Sequence, residues 1–217
     1  MDHKTIIPDD ASDFVLLSDH VESALEEIRY YTTYNFVGDR IAGYEQPVAI
    51  MTKEAALALK GVSDEMQSRG LKLKIFDAYR PATAVRHFMA WGQDDDDRRM
   101  KQYFYPDIEK RDLFRLGYIA ARSSHSRGST VDLTLVDMGS DREIDMGSPF
   151  DFFGKRSHPD YTGVTAQQHE NRMMLRDVML RHGFEPLDCE WWHFTLKDEP
   201  FPDTYFEFPV NPALLKR

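Results

Sequence analysis

The order in which hydrophobic periodicities change along the chain constrains its fold more than any single residue does. Thr52 precedes a run in which Ala55, Leu59, Val62 and Met66 recur at helical spacing, and Gly70 stands where such a helix stops. That pattern predicts a helix over 52–69. Next, Leu71, Leu73 and Ile75 alternate with Lys72, Lys74 and Phe76, the period-two signature of a half-buried strand running into Asp77-Ala78-Tyr79-Arg80-Pro81. Pro81 suits the first turn of a second helix, roughly to Trp91. Val131 to Val136 alternates again, and Cys189 to Leu196 is rich in aromatic and β-branched residues, so both read as strands. Between them, Thr165-x-x-Gln168 is a capping box for a helix that Gly183 ends. Strands and helices fall in unequal clusters without a strict βαβ rhythm. The expected fold is therefore α+β, one domain over 1–217 with a central antiparallel sheet flanked by helices. The tail from about 198 to 217 carries Pro200, Pro202, Pro209 and Pro212 and is expected to wrap the surface.

Composition narrows the chemistry. With 41% hydrophobic residues in 217, a sizeable core is available, while 27 basic against 37 acidic residues leave a net charge of −10. That balance argues against nucleic acid and anionic membranes as partners. Cys189 is the one cysteine, so no intrachain disulfide forms and a metal site must use histidines and carboxylates. Met1-Asp2-His3-Lys4 lacks the basic start and apolar run of a secretory signal, and no stretch reaches the length of a membrane span, so a cytoplasmic protein is expected. Asp94 to Asp97 lacks the spaced ligands and central glycine of a calcium loop and reads as a solvated turn. Nothing in the sequence sets an oligomeric state.

Two short segments concentrate the reactive side chains. In Ser123-Ser124-His125-Ser126-Arg127-Gly128-Ser129-Thr130-Val131-Asp132, a polar, Gly-containing turn separates a histidine from a carboxylate that opens a strand, and the turn can fold His125 back towards Asp132. The second segment supplies Glu190 and His193. Either alone reads more simply as surface histidine and turn carboxylate. Together they hold two imidazoles, one ligating carboxylate and a further carboxylate, the inventory of a catalytic zinc site with an open position for water. Non-haem iron also uses two histidines and one carboxylate; the extra glutamate, suited to hydrolysis, favours zinc. Residues three apart on a regular strand face opposite ways, so Glu190 and His193 share a site only if the strand starts after Glu190 or a bulge re-aims one of them. His3, His20, His87, His158, His169 and His182 have no second ligand at a useful spacing, and Cys189 reads as a small buried thiol.

Asp77-Ala78-Tyr79-Arg80-Pro81, Ser123-x-His125-x-x-Gly128-x-x-x-Asp132 and Glu190-Trp191-Trp192-His193 together resemble the zinc-dependent D-alanyl-D-alanine dipeptidases of the VanX type, within the wider group of zinc D,D-peptidases. The similarity runs from about Tyr30 to Leu196 and includes Asp145 to Phe152. The resemblance implies one zinc per chain held by His125, Asp132 and His193, with Glu190 as catalytic base and Arg80 as transition-state stabiliser. It further implies that Asp151 with Tyr30 binds the free amino end of a small dipeptide substrate and that Ser123 lines the pocket. The implied activity is hydrolysis of free D-Ala-D-Ala. The alternatives are a D,D-carboxypeptidase or endopeptidase acting on cell-wall peptides, and a zinc-stabilised binding module without catalysis.

Overall fold

The structure, a computed structural model, describes residues 5–7 and 10–216; His3 and the Met1 to Lys4 start lie outside them. In chain order the elements are β1 (Thr5–Ile7), β2 (Phe14–Leu16), β3 (Leu25–Glu26), β4 (Ile50–Thr52), α1 (Lys53–Gln67), β5 (Leu71–Asp77), α2 (Ala82–Gln93) and α3 (Lys101–Phe104). They continue with β6 (Thr130–Asp137), α4 (Ala166–Arg181), β7 (Phe184–Leu187), β8 (Glu190–Leu196) and β9 (Thr204–Phe206).

Local chemistry sets the predicted boundaries. Thr52 caps α1 by accepting the Ala55 N–H, its apolar stripe Ala55, Leu59, Val62 and Met66 is buried, and the chain leaves through Gly70. Pro81 sits one residue outside α2, at the N-cap, and α2 continues two residues past Trp91. The capping box at α4 is complete, with Thr165 and Gln168 each satisfying the other's backbone N–H.

The central sheet has five strands in the order β3-β5-β6-β8-β7. Every pairing is antiparallel except β3 with β5, so the α+β expectation holds with one parallel edge strand added. Two-residue β3 has too little sequence to show a period, which is why periodicity does not reveal it. Helices α1 and α4 pack against the sheet, and an aromatic cluster of Tyr30, Phe36, Phe88, Trp91, Phe150 and Phe153 fills the space beside the site. The tail expected to wrap the surface also feeds the core. β9 pairs in parallel with β1, and Phe206, Phe208 and Val210 are buried, with Phe208 stacked on Tyr79 and edge-on to Phe14. Aromatic residues between prolines gain more from burial against Phe14 and Tyr79 than from solvent. Among the described residues, no helix is long and apolar enough to cross a membrane.

Candidate metal centre and its pocket

The sheet's cross-strand register assembles the site. Asp132 on β6 lies opposite Asp77 on one side and opposite His193 on the other. Directly paired residues share a face, so the three side chains project together. Asp77 reaches that register through an irregularity between Ile75 and Asp77 that leaves Phe76 without a partner on β6. His125 enters from the 3-10 turn Ser124–Arg127, which Gly128 closes with φ +86. A Cβ at Gly128 would lie 2.2 Å from the Phe14 ring, so only glycine fits this corner between turn and strand.

His125, Asp132 and His193 form, among the described residues, the group of ligating side chains close enough to hold one metal ion. His125 Nε2 lies 3.2 Å from Asp132 Oδ2, His193 Nδ1 lies 3.1 Å from Asp132 Oδ1, and the two ring nitrogens are 3.3 Å apart. Donors bound tetrahedrally at about 2.0–2.1 Å are themselves separated by about 3.3 Å, the separation found here. His125 Nδ1 donates to the Ala78 carbonyl at 2.7 Å, which leaves Nε2 as the lone-pair nitrogen that faces the cluster. Asp132 Oδ1 is buried without a hydrogen-bond partner among the described residues. A buried carboxylate oxygen left open beside two inward imidazole nitrogens fits a zinc ion.

Glu190 and His193 meet because the β7–β8 ladder breaks between Pro186 and Leu187, where Leu187 pairs Glu190 while Pro186 already pairs Phe194. The irregularity brings Glu190 Oε2 to 3.5 Å from His193 Nδ1. This is the bulge alternative; the strand itself begins at Glu190. Both tryptophans between them are buried, and Trp191 Nε1 donates to Ser148 Oγ at 2.9 Å. Burial drives the Glu190 carboxyl up to about 7, against the pull of His193 and with added repulsion from Asp132.

Arg80 crosses the same space. Its Nε and Nη2 hold Asp77 Oδ2 at 2.9 and 2.8 Å, Nη2 lies 3.5 Å from Asp132 Oδ2, and Nη1 is 3.5 Å from Ser123 Oγ. Asp77 and Asp132 face each other as like charges, and the guanidinium between them offsets that repulsion. Asp77, fully buried and also held by the Tyr44 hydroxyl at 2.6 Å, is the residue supporting the candidate site to which sequence reasoning gave no role. Its signal was a carboxylate closing an apolar strand three residues before an arginine. Ser123 caps the His125 turn through the His125 N–H at 3.3 Å.

Asp151 and Tyr30 meet at the far wall, where the Tyr30 hydroxyl donates to Asp151 Oδ2 at 2.9 Å. Asp151 is buried and has φ +61, an uncommon left-handed backbone for a non-glycine residue. Burial raises its carboxyl well above the usual range, and repulsion from Asp132 and Glu190 adds to this against Arg80 and Tyr30. The loop carrying it is tied down by buried Arg172, which donates to the carbonyls of Met146, His158 and Arg156 at 2.6, 2.8 and 2.8 Å. All eight sequence-identified site residues line one cavity of ≈ 300 Å³. Cys189 is only half-buried, and burial lifts its thiol to about 11, far from a thiolate nucleophile. His182 pairs with Glu65 at 3.1 Å and His87 accepts the Ala42 N–H, and neither lines the cavity.

Comparison with known proteins agrees with the geometry. A family model described as D-Ala-D-Ala dipeptidase, of the M15 peptidases, matches residues 10–211. A D-alanyl-D-alanine dipeptidase of Enterococcus faecalis is 41% identical over 198 residues, covering 91% of this chain and 98% of the relative. The Streptomyces coelicolor dipeptidase is 40% identical over the same shares, and that of Escherichia coli 34% identical over 78% of this chain and 77% of its own. With the family match spanning nearly every described residue and every element that builds the pocket, the chain belongs to the D-Ala-D-Ala dipeptidase family of M15 peptidases.

Proposed function

We infer that the protein is a zinc dipeptidase that hydrolyses free D-Ala-D-Ala to two D-Ala, with His125, Asp132 and His193 as the metal ligands. The observation that carries this reading is the placement of Glu190, Arg80 and the Tyr30–Asp151 pair around one three-ligand cluster in a single small cavity. Its volume of ≈ 300 Å³ lies at the low end of small-molecule sites, which run to about 1,000 Å³, and suits a dipeptide better than an intact cell-wall peptide.

The chemistry a bound zinc ion supplies is Lewis acidity towards the scissile carbonyl and the attacking water. Glu190, with its carboxyl near neutrality, takes the water proton at a carboxylate oxygen and delivers it to the departing amine. Arg80 is held by Asp77 with Nη1 directed towards Ser123, and it stabilises the oxyanion as charge develops. Asp151, buried and uncompensated by a cation of its own, receives the substrate ammonium, which restores its ionised form; the Tyr30 hydroxyl orients it. An N-acylated substrate brings a neutral amide to the same carboxylate and loses that pairing, which distinguishes a dipeptidase from a D,D-carboxypeptidase or endopeptidase. A purely structural zinc would need neither Glu190 nor Arg80 in the cavity. A cytoplasmic setting belongs to the same reading and is checked by cell fractionation.

The test is hydrolysis of D-Ala-D-Ala, L-Ala-L-Ala and N-acetyl-D-Ala-D-Ala by the purified protein, before and after chelation. Cleavage of the first alone, lost on chelation and regained with zinc, is expected. Preference for the acylated substrate would select the carboxypeptidase, and no hydrolysis by zinc-loaded protein would select the binding module.

A further inference from the structure

A zwitterionic dipeptide presents two charged ends, and the groups described so far account for one. Asp151 and Tyr30 face the ammonium, while Arg80 is engaged by Asp77 through two nitrogens and approaches Asp132. Two cationic residues are among those that line the cavity, Arg80 and Arg122. Arg122 is exposed, in the segment Gly117 to Ser124 that forms one wall of the cavity, and no carboxylate partner of its guanidinium is found among the described residues. Its guanidinium lies over the Tyr205 ring, 5.6 Å from centroid to Cζ. An aromatic face steadies a guanidinium without using the in-plane N–H donors that grip a carboxylate. The other arginine beside that ring, Arg127, is already paired with Glu199 at 2.7 Å and does not line the cavity.

We propose that Arg122 receives the C-terminal carboxylate of the substrate and sets the requirement for a free carboxyl end. The proposal rests on the dipeptidase reading and adds the group at the opposite end of the substrate from Asp151. Because the carboxylate is present in ground state and transition state alike, Arg122 contributes binding and not chemistry. It is a specificity-determining residue, and its loss belongs in KM.

The experiment compares D-Ala-D-Ala with D-Ala-D-Ala amide in the zinc-loaded wild type, Arg122→Ala and Arg122→Lys, with zinc content and melting temperature measured in parallel. For Arg122→Ala we expect KM for the free acid to rise about tenfold to a hundredfold with kcat nearly unchanged. Activity on the amide should hardly move, so the preference for the acid narrows. Arg122→Lys should recover part of the loss, since an ammonium keeps the charge but not the fork. An unchanged acid-to-amide ratio in Arg122→Ala overturns the proposal, as does a loss confined to kcat. If the wild type itself leaves D-Ala-D-Ala intact, the dipeptidase reading has failed instead, and the two failures are told apart by that control. Arg122 lies outside the helices and strands at an exposed position, so a folding defect is not expected, and the melting temperature checks it.

Discussion

At the scale of single residues, proton transfer and charge stabilisation in the proposed mechanism separate cleanly. Glu190 is within 3.5 Å of His193 yet stands apart from the three-ligand cluster. Glu190→Ala is therefore expected to keep its zinc and its fold while kcat falls by about 10²–10⁴-fold, as loss of a general base does. Metal analysis alongside steady-state kinetics checks this, and a variant that also loses its zinc would make Glu190 a ligand. Arg80→Lys should lower turnover by roughly a hundredfold, because a single ammonium cannot hold Asp77 through two nitrogens and still face the oxyanion. A change in KM alone would make Arg80 a substrate anchor. Asp151→Asn keeps a residue type that tolerates the left-handed backbone at φ +61 and removes only the charge. The ratio of kcat/KM for D-Ala-D-Ala over its N-acetyl form should then narrow by about tenfold or more. An unmoved ratio would place amino-end selection elsewhere in the wall.

At the scale of elements, the site depends on ladder irregularities more than on regular strands. The break in β5 turns Asp77 towards Asp132, and the break between β7 and β8 brings Glu190 round to His193. The edge of the sheet carries a half-buried carboxylate with a different role. Glu26, ending β3, accepts the Ala49 N–H at 3.0 Å through Oε2 and so ties the parallel edge strand to the chain entering β4, while its buried Oε1 has no partner among the described residues. Burial raises its carboxyl above the ordinary value of 4.5. As pH rises past that value the unfolded chain gives up its proton before the folded one, so this residue's contribution to stability falls towards neutral pH. Glu26→Gln retains the acceptor for Ala49 and removes the charge. Urea unfolding should show little difference from wild type near pH 3.5 and a stabilisation of up to about 1 kcal/mol at pH 7.5. A variant less stable at pH 7.5 than at pH 3.5, relative to wild type, would contradict this assignment.

At the scale of the whole molecule, the two ends of the chain close the structure behind the site. β1 and β9 pair with each other, and the tail carries Phe208 into an aromatic stack with Tyr79, whose hydroxyl donates to the Phe208 carbonyl at 2.8 Å. Tyr79 is the residue before Arg80, and Phe14, packed on both aromatics, also fills the corner that Gly128 leaves open. Tail packing thus reaches the backbone on both sides of His125. Phe208→Ala opens a cavity in this stack and should cost about 3–5 kcal/mol. In a domain of this size that corresponds to about 2–4 °C of melting temperature per kcal/mol. Differential scanning calorimetry reads it, and an unchanged melting temperature would show the tail to be dispensable to the core.

What depends on local pattern is legible along the chain. The helix after Thr52, the capped helix after Thr165 and the strands ending at Asp77 and opening near Asp132 follow from periodicity and capping chemistry, both of which act within a few residues. The inventory of the candidate site was legible for the same reason, since His125, Asp132, Glu190 and His193 sit in two short segments, while Arg80 entered through the family resemblance. How those motifs meet follows from the packed fold and not from local pattern. The pairing of Asp132 with both Asp77 and His193 is a matter of register between strands more than fifty residues apart, and the approach of Glu190 to His193 requires a bulge that alternation does not announce. Asp77's hold on Arg80 and the inward course of Phe208 likewise depend on burial created by distant segments, because a charge or an aromatic ring acquires its partner only once water has been excluded from between them.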